Sequence, residues 1–179
     1  MDGLIMKQVG FTLFELLIVL LIISITLVIG IPSFSEQINK SKTKVAMHDL
    51  LSAIESTRSL AVYSNNRAVL LAHEKDWTQG WSVFLDKNND GVLNENETLK
   101  FEQAPLPHIK IHANTHVHDY ISFISTGEGR KVGSGDGGAF QVGTIKICPI
   151  AKGTGYSLIL SRGGRTRVKS LTAKECSAI

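Results

Sequence analysis

Two cysteines, Cys148 and Cys176, are all that this 179-residue chain contains. That leaves room for a single disulfide, and with no Cys-x-x-Cys pair a thiolate metal site is the weaker reading. Charge is nearly absent from Phe11 to Ile31, where Glu15 is the one ionised side chain. That apolar run is too long for a secretory signal, and no Ala-x-Ala follows it, so cleavage behind it is not expected. There is no internal repeat. The glycine-rich stretch from Gly133 to Gly138 has no Lys-Ser/Thr and no helix after it, which excludes a nucleotide loop and leaves an inter-strand loop. No nucleophile sits in a defensible relation to a base, and we read the chain as not an enzyme.

The apolar run is therefore the first positive feature. As a helix it spans about 30 Å, the thickness of a bilayer core. A carboxylate near its start is costly in lipid unless it is paired, and an amine is the natural partner. Residues 1–10 form a polar leader with one cation, Lys7, ending in Gly10, the only small residue at the polar-to-apolar boundary. Cleavage there would create a new amino group at Phe11. Gly10-Phe11-Thr12-Leu13-Phe14-Glu15 resembles the class III leader of type IV pilins and pseudopilins. The resemblance implies that a prepilin peptidase cuts after Gly10 and methylates Phe11, and that Glu15 pairs with the amine of a neighbouring subunit. It also implies an inner-membrane precursor with a periplasmic domain that later joins an extracellular pilus.

Behind the run, Val45, Met47, Leu50, Leu51, Ile54, Ala61 and Val62 recur at helical spacing. One helix from about 12 to 65 is expected, interrupted and kinked at Gly30 and Pro32. The division is leader 1–10, membrane or filament-core helix 11–31, amphipathic helix 32–66 and β-rich domain 67–179. In that domain eight short runs read as strands: 67–73, 80–86, 97–101, 109–112, 120–125, 140–148, 156–161 and 165–171. The fold class is α+β, a long N-terminal helix followed by an antiparallel sheet, which is also the pilin architecture. Gly80-Trp81-Ser82-Val83-Phe84-Leu85-Asp86 with Asn88 and Asp90-Gly91 resembles the GspH/FimT pseudopilin pattern. So do Ile121-Ser122-Phe123 with Gly127, and Leu158-Ile159-Leu160-Ser161 with Gly164-Arg165. In an oxidising compartment Cys148 and Cys176 are expected to pair, stabilising the domain by about 3–4 kcal/mol.

Net charge is +3, unevenly spread. Residues 71–120 carry four Lys/Arg against eight Asp/Glu, and residues 121–179 carry nine against three. The C-terminal third is thus the place for an anionic partner. Its sharpest motif is Arg162-Gly163-Gly164-Arg165-Thr166-Arg167-Val168-Lys169. On a strand Arg165, Arg167 and Lys169 share a face at intervals of about 6.6 Å. Three like charges in a row suit a run of phosphates, although they would also serve as a solvated edge that resists aggregation. Gly163-Gly164 would let a polyanion approach the backbone. Gly164-Arg165-Thr166-Arg167 fits the Gly-Arg-x-Arg motif of FimT-type minor pilins, which implies non-specific DNA binding in natural transformation through Arg162, Gly164, Arg165, Arg167 and Lys169. Arg130, Lys131, Lys146 and Lys152 are candidates to widen the patch. Interleaved aromatics are missing, which favours duplex backbone over stacked single strands. The alternative is a type II secretion pseudopilin of the H kind, with a structural tip role and no nucleic acid.

Two further clusters carry candidate ligands. Asp86, Asn88, Asp90 and Glu97 match an EF-hand loop at every required position, but the flanks read as strands and Asn-Asp-Gly is an ordinary turn. No cofactor is expected otherwise; a structural calcium ion is the one this loop would take. His108, His112, His116 and His118 do not fall at a converging spacing, so they read as exposed groups that add positive charge in mildly acid solution.

Overall fold

A computed structural model describes residues 11–133 and 138–178, without the side chains of 28–33. The leader with Gly10, and residues 134–137 of the glycine-rich loop, lie outside the described residues. The chain divides into two compact units, Met1–Ile38 and Asn39–Ile179.

Helix α1 runs Leu13–Ser64. Its start is capped: the Thr12 hydroxyl accepts the Glu15 amide at 3.2 Å, and Glu15 lies in the positive first turn, where a carboxylate is favoured. Within the first unit every side chain from 11 to 27 is exposed, an apolar surface with no cover among that unit's described residues. Among the described residues no helix is long and apolar enough to cross a membrane. Contrary to the break expected at Gly30 and Pro32, the helical backbone continues through them. A first-turn proline loses no helical bond, but Pro32 is mid-helix and forfeits one there. The helix ends where Asn65 takes a left-handed conformation (φ 48°) and the Asn66 amide reaches back to the Ala61 carbonyl at 3.3 Å.

The second unit is built on the last part of α1. Ala46, Met47, Leu50, Ala53, Ile54 and Ala61 are buried, the three- and four-residue spacing of one helical stripe. All eight expected strands are present: β1 Arg67–Ala72, β2 Trp81–Asp86, β3 Thr98–Gln103, β4 Ile109–Ala113, β5 Tyr120–Phe123, β6 Gly143–Pro149, β7 Gly155–Leu160 and β8 Thr166–Leu171. They form not one sheet but two, each four-stranded and antiparallel, in the orders β3-β2-β1-β5 and β4-β6-β7-β8. The α1 stripe, Leu70, Trp81 and Ile121 from the first sheet, and Ile145, Ile147, Leu158 and Leu160 from the second share one apolar core. Each such aliphatic side chain contributes about 1.5–3 kcal/mol on burial. A four-residue helix, α2 (Ala173–Cys176), closes the chain behind a capping box in which Thr172 and Glu175 bond reciprocally.

Cys148 and Cys176 are disulfide-bonded, 28 residues apart, and pack with Leu171. The bridge fastens α2 to β6.

Candidate nucleic-acid interface

Antiparallel register decides which side chains share a face. In the second sheet Ile111, Ile147 and Tyr156 align, as do Ala113, Ile145 and Leu158; these belong to the inner side, and Val168, opposite Leu158 on the edge strand, stays exposed. The residues between them face outward. One outward row crosses all four strands as His112, Lys146, Ser157 and Lys169. The next runs Thr144, Ile159 and Arg167. Arg165 continues the β8 row, because its carbonyl accepts the Ser161 amide at 2.9 Å and so extends the β7–β8 pairing by one step. Arg165, Arg167 and Lys169 are exposed and lie on one face of an edge strand, as their alternation predicts.

Their surroundings differ. Arg165 and Arg167 have no carboxylate partner among the described residues. Lys169 lies 3.6 Å from Glu175, an exposed ion pair worth little. Glu175 is held below the usual carboxylate range, mainly by the Thr172 amide and hydroxyl, with Lys169 contributing less. Arg162 leaves the row: it sits at the hairpin tip with its guanidinium carbon 5.8 Å from the Phe140 ring centre.

Gly164 is a correction. It is buried, with φ +74°, and a Cβ there would run into the Gly127 carbonyl and come 3.0 Å from Arg58 Nε. A polyanion therefore does not approach the backbone at Gly164, whereas Gly163 is exposed with open space around it. The motif glycine serves the turn instead. Arg58 on α1 donates to the Gly127 carbonyl at 2.8 Å, and the 124–129 and 161–165 turns meet beneath it. Position 164 has to be small and left-handed for that contact.

Of the four cations offered as extensions, only Lys146 is on this face. Arg130 is taken up by Glu128 at 2.9 Å and by the Phe140 ring, 3.7 Å from its guanidinium carbon. Lys152 lies exposed between β6 and β7, and Lys131 is half-buried beyond β5. Sequence reasoning missed Lys110 and read His112 as exposed without placing it; register puts both outward on β4. The alternation Ile109-Lys110-Ile111-His112 announces an outward lysine; which strand it would lie beside is a matter of topology.

The loop from Asp86 to Glu97 saturates its own carboxylates. Asp86 accepts the Asp90 and Gly91 amides at 3.2 and 3.0 Å, and burial raises its pKa above the usual range. Asp90 is lowered, chiefly by the Val92 amide. Glu97 accepts the Lys87 and Asn94 amides at 2.9 and 3.1 Å. Among the described residues no three acids, histidines or cysteines are grouped to hold a metal ion. His108, His112, His116 and His118 are exposed; His112 and His118 line one cavity with Asp119, which lies 2.6 Å from His118.

The family described as Type II transport protein GspH matches residues 46–164. The chain belongs to the GspH family. Its fold is that of solved minor pilins and pseudopilins. The Pseudomonas aeruginosa type IV minor pilin FimU superposes with a TM-score of 0.55 at 20% identity, over 73% of this chain and 90% of that one. The minor pseudopilin EpsH of the Vibrio cholerae type 2 secretion system gives 0.50 at 11% identity, over 72% and 97%. Among curated proteins, none matches in sequence. This GspH-family chain thus has the fold of a minor pilin or pseudopilin of the GspH/FimT type. The family match stops at Gly164, one residue before the cationic row, so the role of β8 has to be argued from its own chemistry.

Proposed function

We propose that this chain is a minor pilin of a type IV pilus that catches extracellular DNA, without sequence preference, for natural transformation. The carrying observation is that Arg165 and Arg167 stand side by side, exposed and without a carboxylate partner among the described residues. Two arginines spaced about 6.6 Å apart along the strand backbone can each offer a phosphate a forked pair of N–H donors. Burying nothing, they add little to folding.

Before assembly the chain sits in the inner membrane through residues 11–31, its domain in the periplasm. Prepilin peptidase removes 1–10 at Gly10 and methylates Phe11, and Glu15 pairs with the Phe11 amine of a neighbouring subunit to set register. Glu15→Ala should be cleaved normally but recovered poorly in sheared pili; wild-type amounts there would refute the pairing. The 86–97 loop is a second-rank calcium site within this reading, tested by a calcium-dependent shift in thermal unfolding of wild type that Glu97→Gln removes.

A mobility shift with duplex DNA is the deciding experiment, done with the full chain in detergent micelles. Wild type should retard the duplex, with affinity falling at a log–log salt slope of about −3 to −4. Arg165→Gln with Arg167→Gln should abolish the shift. A chain that never retards DNA is better read as an H-type pseudopilin of type II secretion, which the family description and the EpsH likeness favour.

A further inference from the structure

We infer that His112 and His118 form a site for a late divalent transition metal, copper(II) or zinc(II), at the turn between β4 and β5. It does not depend on the DNA reading above. The two histidines flank the turn, and its bonds set both on one cavity. β4 ends at Ala113. The Val117 amide then donates to the Asn114 carbonyl at 3.0 Å and closes the turn. Asn114 is tied to β6: its amide donates to the Thr144 carbonyl at 3.1 Å, and its Oδ1 accepts the Thr144 amide at 3.3 Å. Val117 is buried, and its carbonyl accepts the Trp77 indole N–H at 3.1 Å. Held at both ends, the turn places His112 and His118 on a cavity of about 480 Å³, lined also by Ala113, Asn114, Thr115 and Asp119.

Asp119 prepares His118 to ligate. Its Oδ1 lies 2.6 Å from His118 Nδ1, and an ionised carboxylate only accepts, so Nδ1 carries the proton. Nε2 is then the free lone pair, the arrangement in which a carboxylate orients a metal-bound imidazole. Engaged in that bond, Asp119 is a positioning group rather than a ligand. Among the described residues no third histidine, acid or cysteine completes a metal-holding group. Water fills the remaining positions, which makes the site exchangeable rather than a closed structural centre.

The donors select the metal. Neutral imidazoles suit copper, nickel and zinc, with copper(II) at the top of the affinity order. Magnesium and calcium need several oxygen donors, which two imidazoles and one engaged carboxylate do not supply. One group opposes any cation: Lys146 pairs with His112 across β4 and β6. Against a divalent ion about 6 Å away, with salt screening, its ammonium weakens binding about three- to tenfold.

The test titrates the full chain in micelles with copper(II) chloride, read by calorimetry and by electron paramagnetic resonance. Wild type should take up copper(II) with imidazole nitrogen hyperfine structure; zinc(II) should compete for it and magnesium should not. His112→Ala and His118→Ala should each abolish that signal. Both side chains are exposed, so folding should hold, and circular dichroism checks it. His116→Ala, on the same turn but outside the cavity lining, should leave the signal unchanged. Asp119→Asn should weaken affinity about tenfold while the nitrogen pattern stays, as a positioning role requires. Lys146→Gln removes no ligand and should tighten binding about three- to tenfold. A retained signal in either histidine variant, or an equal loss in His116→Ala, would overturn the pair. So would an unchanged affinity in Lys146→Gln, or wild type without imidazole-bound copper. An unaffected Asp119→Asn would overturn the positioning role. Each of these outcomes leaves the DNA reading where it stood.

Discussion

The two sheets of the second unit treat arginine in opposite ways. On the first sheet Arg67 is 5% exposed and fully engaged: it donates to Asn89 Oδ1 at 2.8 Å, Ser122 Oγ at 3.0 Å and the Arg130 carbonyl at 3.1 Å. Burial lowers its pKa, while Asp86, its cross-strand neighbour, pulls the other way. Such a guanidinium holds the 86–91 loop and β5 to β1. On the second sheet Arg165 and Arg167 are exposed and have no carboxylate partner among the described residues. The central strands of the first sheet, β1 and β2, are covered on both faces, whereas β8 is exposed along four successive residues. Cover turns a cation into a structural clamp; leaving it open makes it available to a ligand. The same residue type in the same domain thus has a role set by what packs over it, not by its identity.

The largest way to break this contrast is at the disulfide, which fastens the second sheet alone. Cys148→Ser with Cys176→Ser should lower the unfolding free energy by about 3–4 kcal/mol, from the closure of a loop of this length in the unfolded chain. Denaturant melts read by tryptophan fluorescence would measure it. Because Trp77 and Trp81 are buried in the common core, both sheets should still unfold together, in one transition. Two separated transitions would mean that the sheets are independent, and the shared core would lose its meaning.

Much of this could be read from residues 11–179 before any coordinates. Helical spacing located α1 to within a residue or two, because the stripe read from Val45 to Val62 is long, although its end members Val45 and Val62 are exposed and Ala46 is the buried residue beside Met47. β-Branched runs located all eight strands. The split into two sheets was not legible, since nothing local tells β5 to pair with β1 rather than with β6. Nor was the outward company of Arg167 and Lys169: Lys110 and Lys146 join them only through the β4-β6-β7-β8 order. The capping box was readable as Thr172-Ala-Lys-Glu175, and a helix of four residues gives no periodicity to draw attention to it. Gly164 was misread for a physical reason. In a sequence, a glycine beside arginines suggests an open approach to the backbone, yet glycine is equally the residue for a crowded one.

That ambiguity yields the finer test, because the two adjacent glycines should respond differently to one methyl group. At Gly164 an alanine would have to hold φ near +74° and displace the Gly127 carbonyl, a backbone atom with little freedom to yield. Left-handed strain of about 1–2 kcal/mol plus the shifted turn should cost about 2–3 kcal/mol in all. At Gly163 nothing lies within 4 Å of the new methyl and φ is not left-handed, so the change should stay within about 0.5 kcal/mol. DNA binding separates the two explanations of the motif. If Gly164 aims Arg165 through the Arg58–Gly127 contact, Gly164→Ala should weaken retention in proportion to the lost turn geometry, and Gly163→Ala should leave it alone. If Gly163→Ala were the damaging change, a close backbone approach by the polyanion would explain it, and the turn would not.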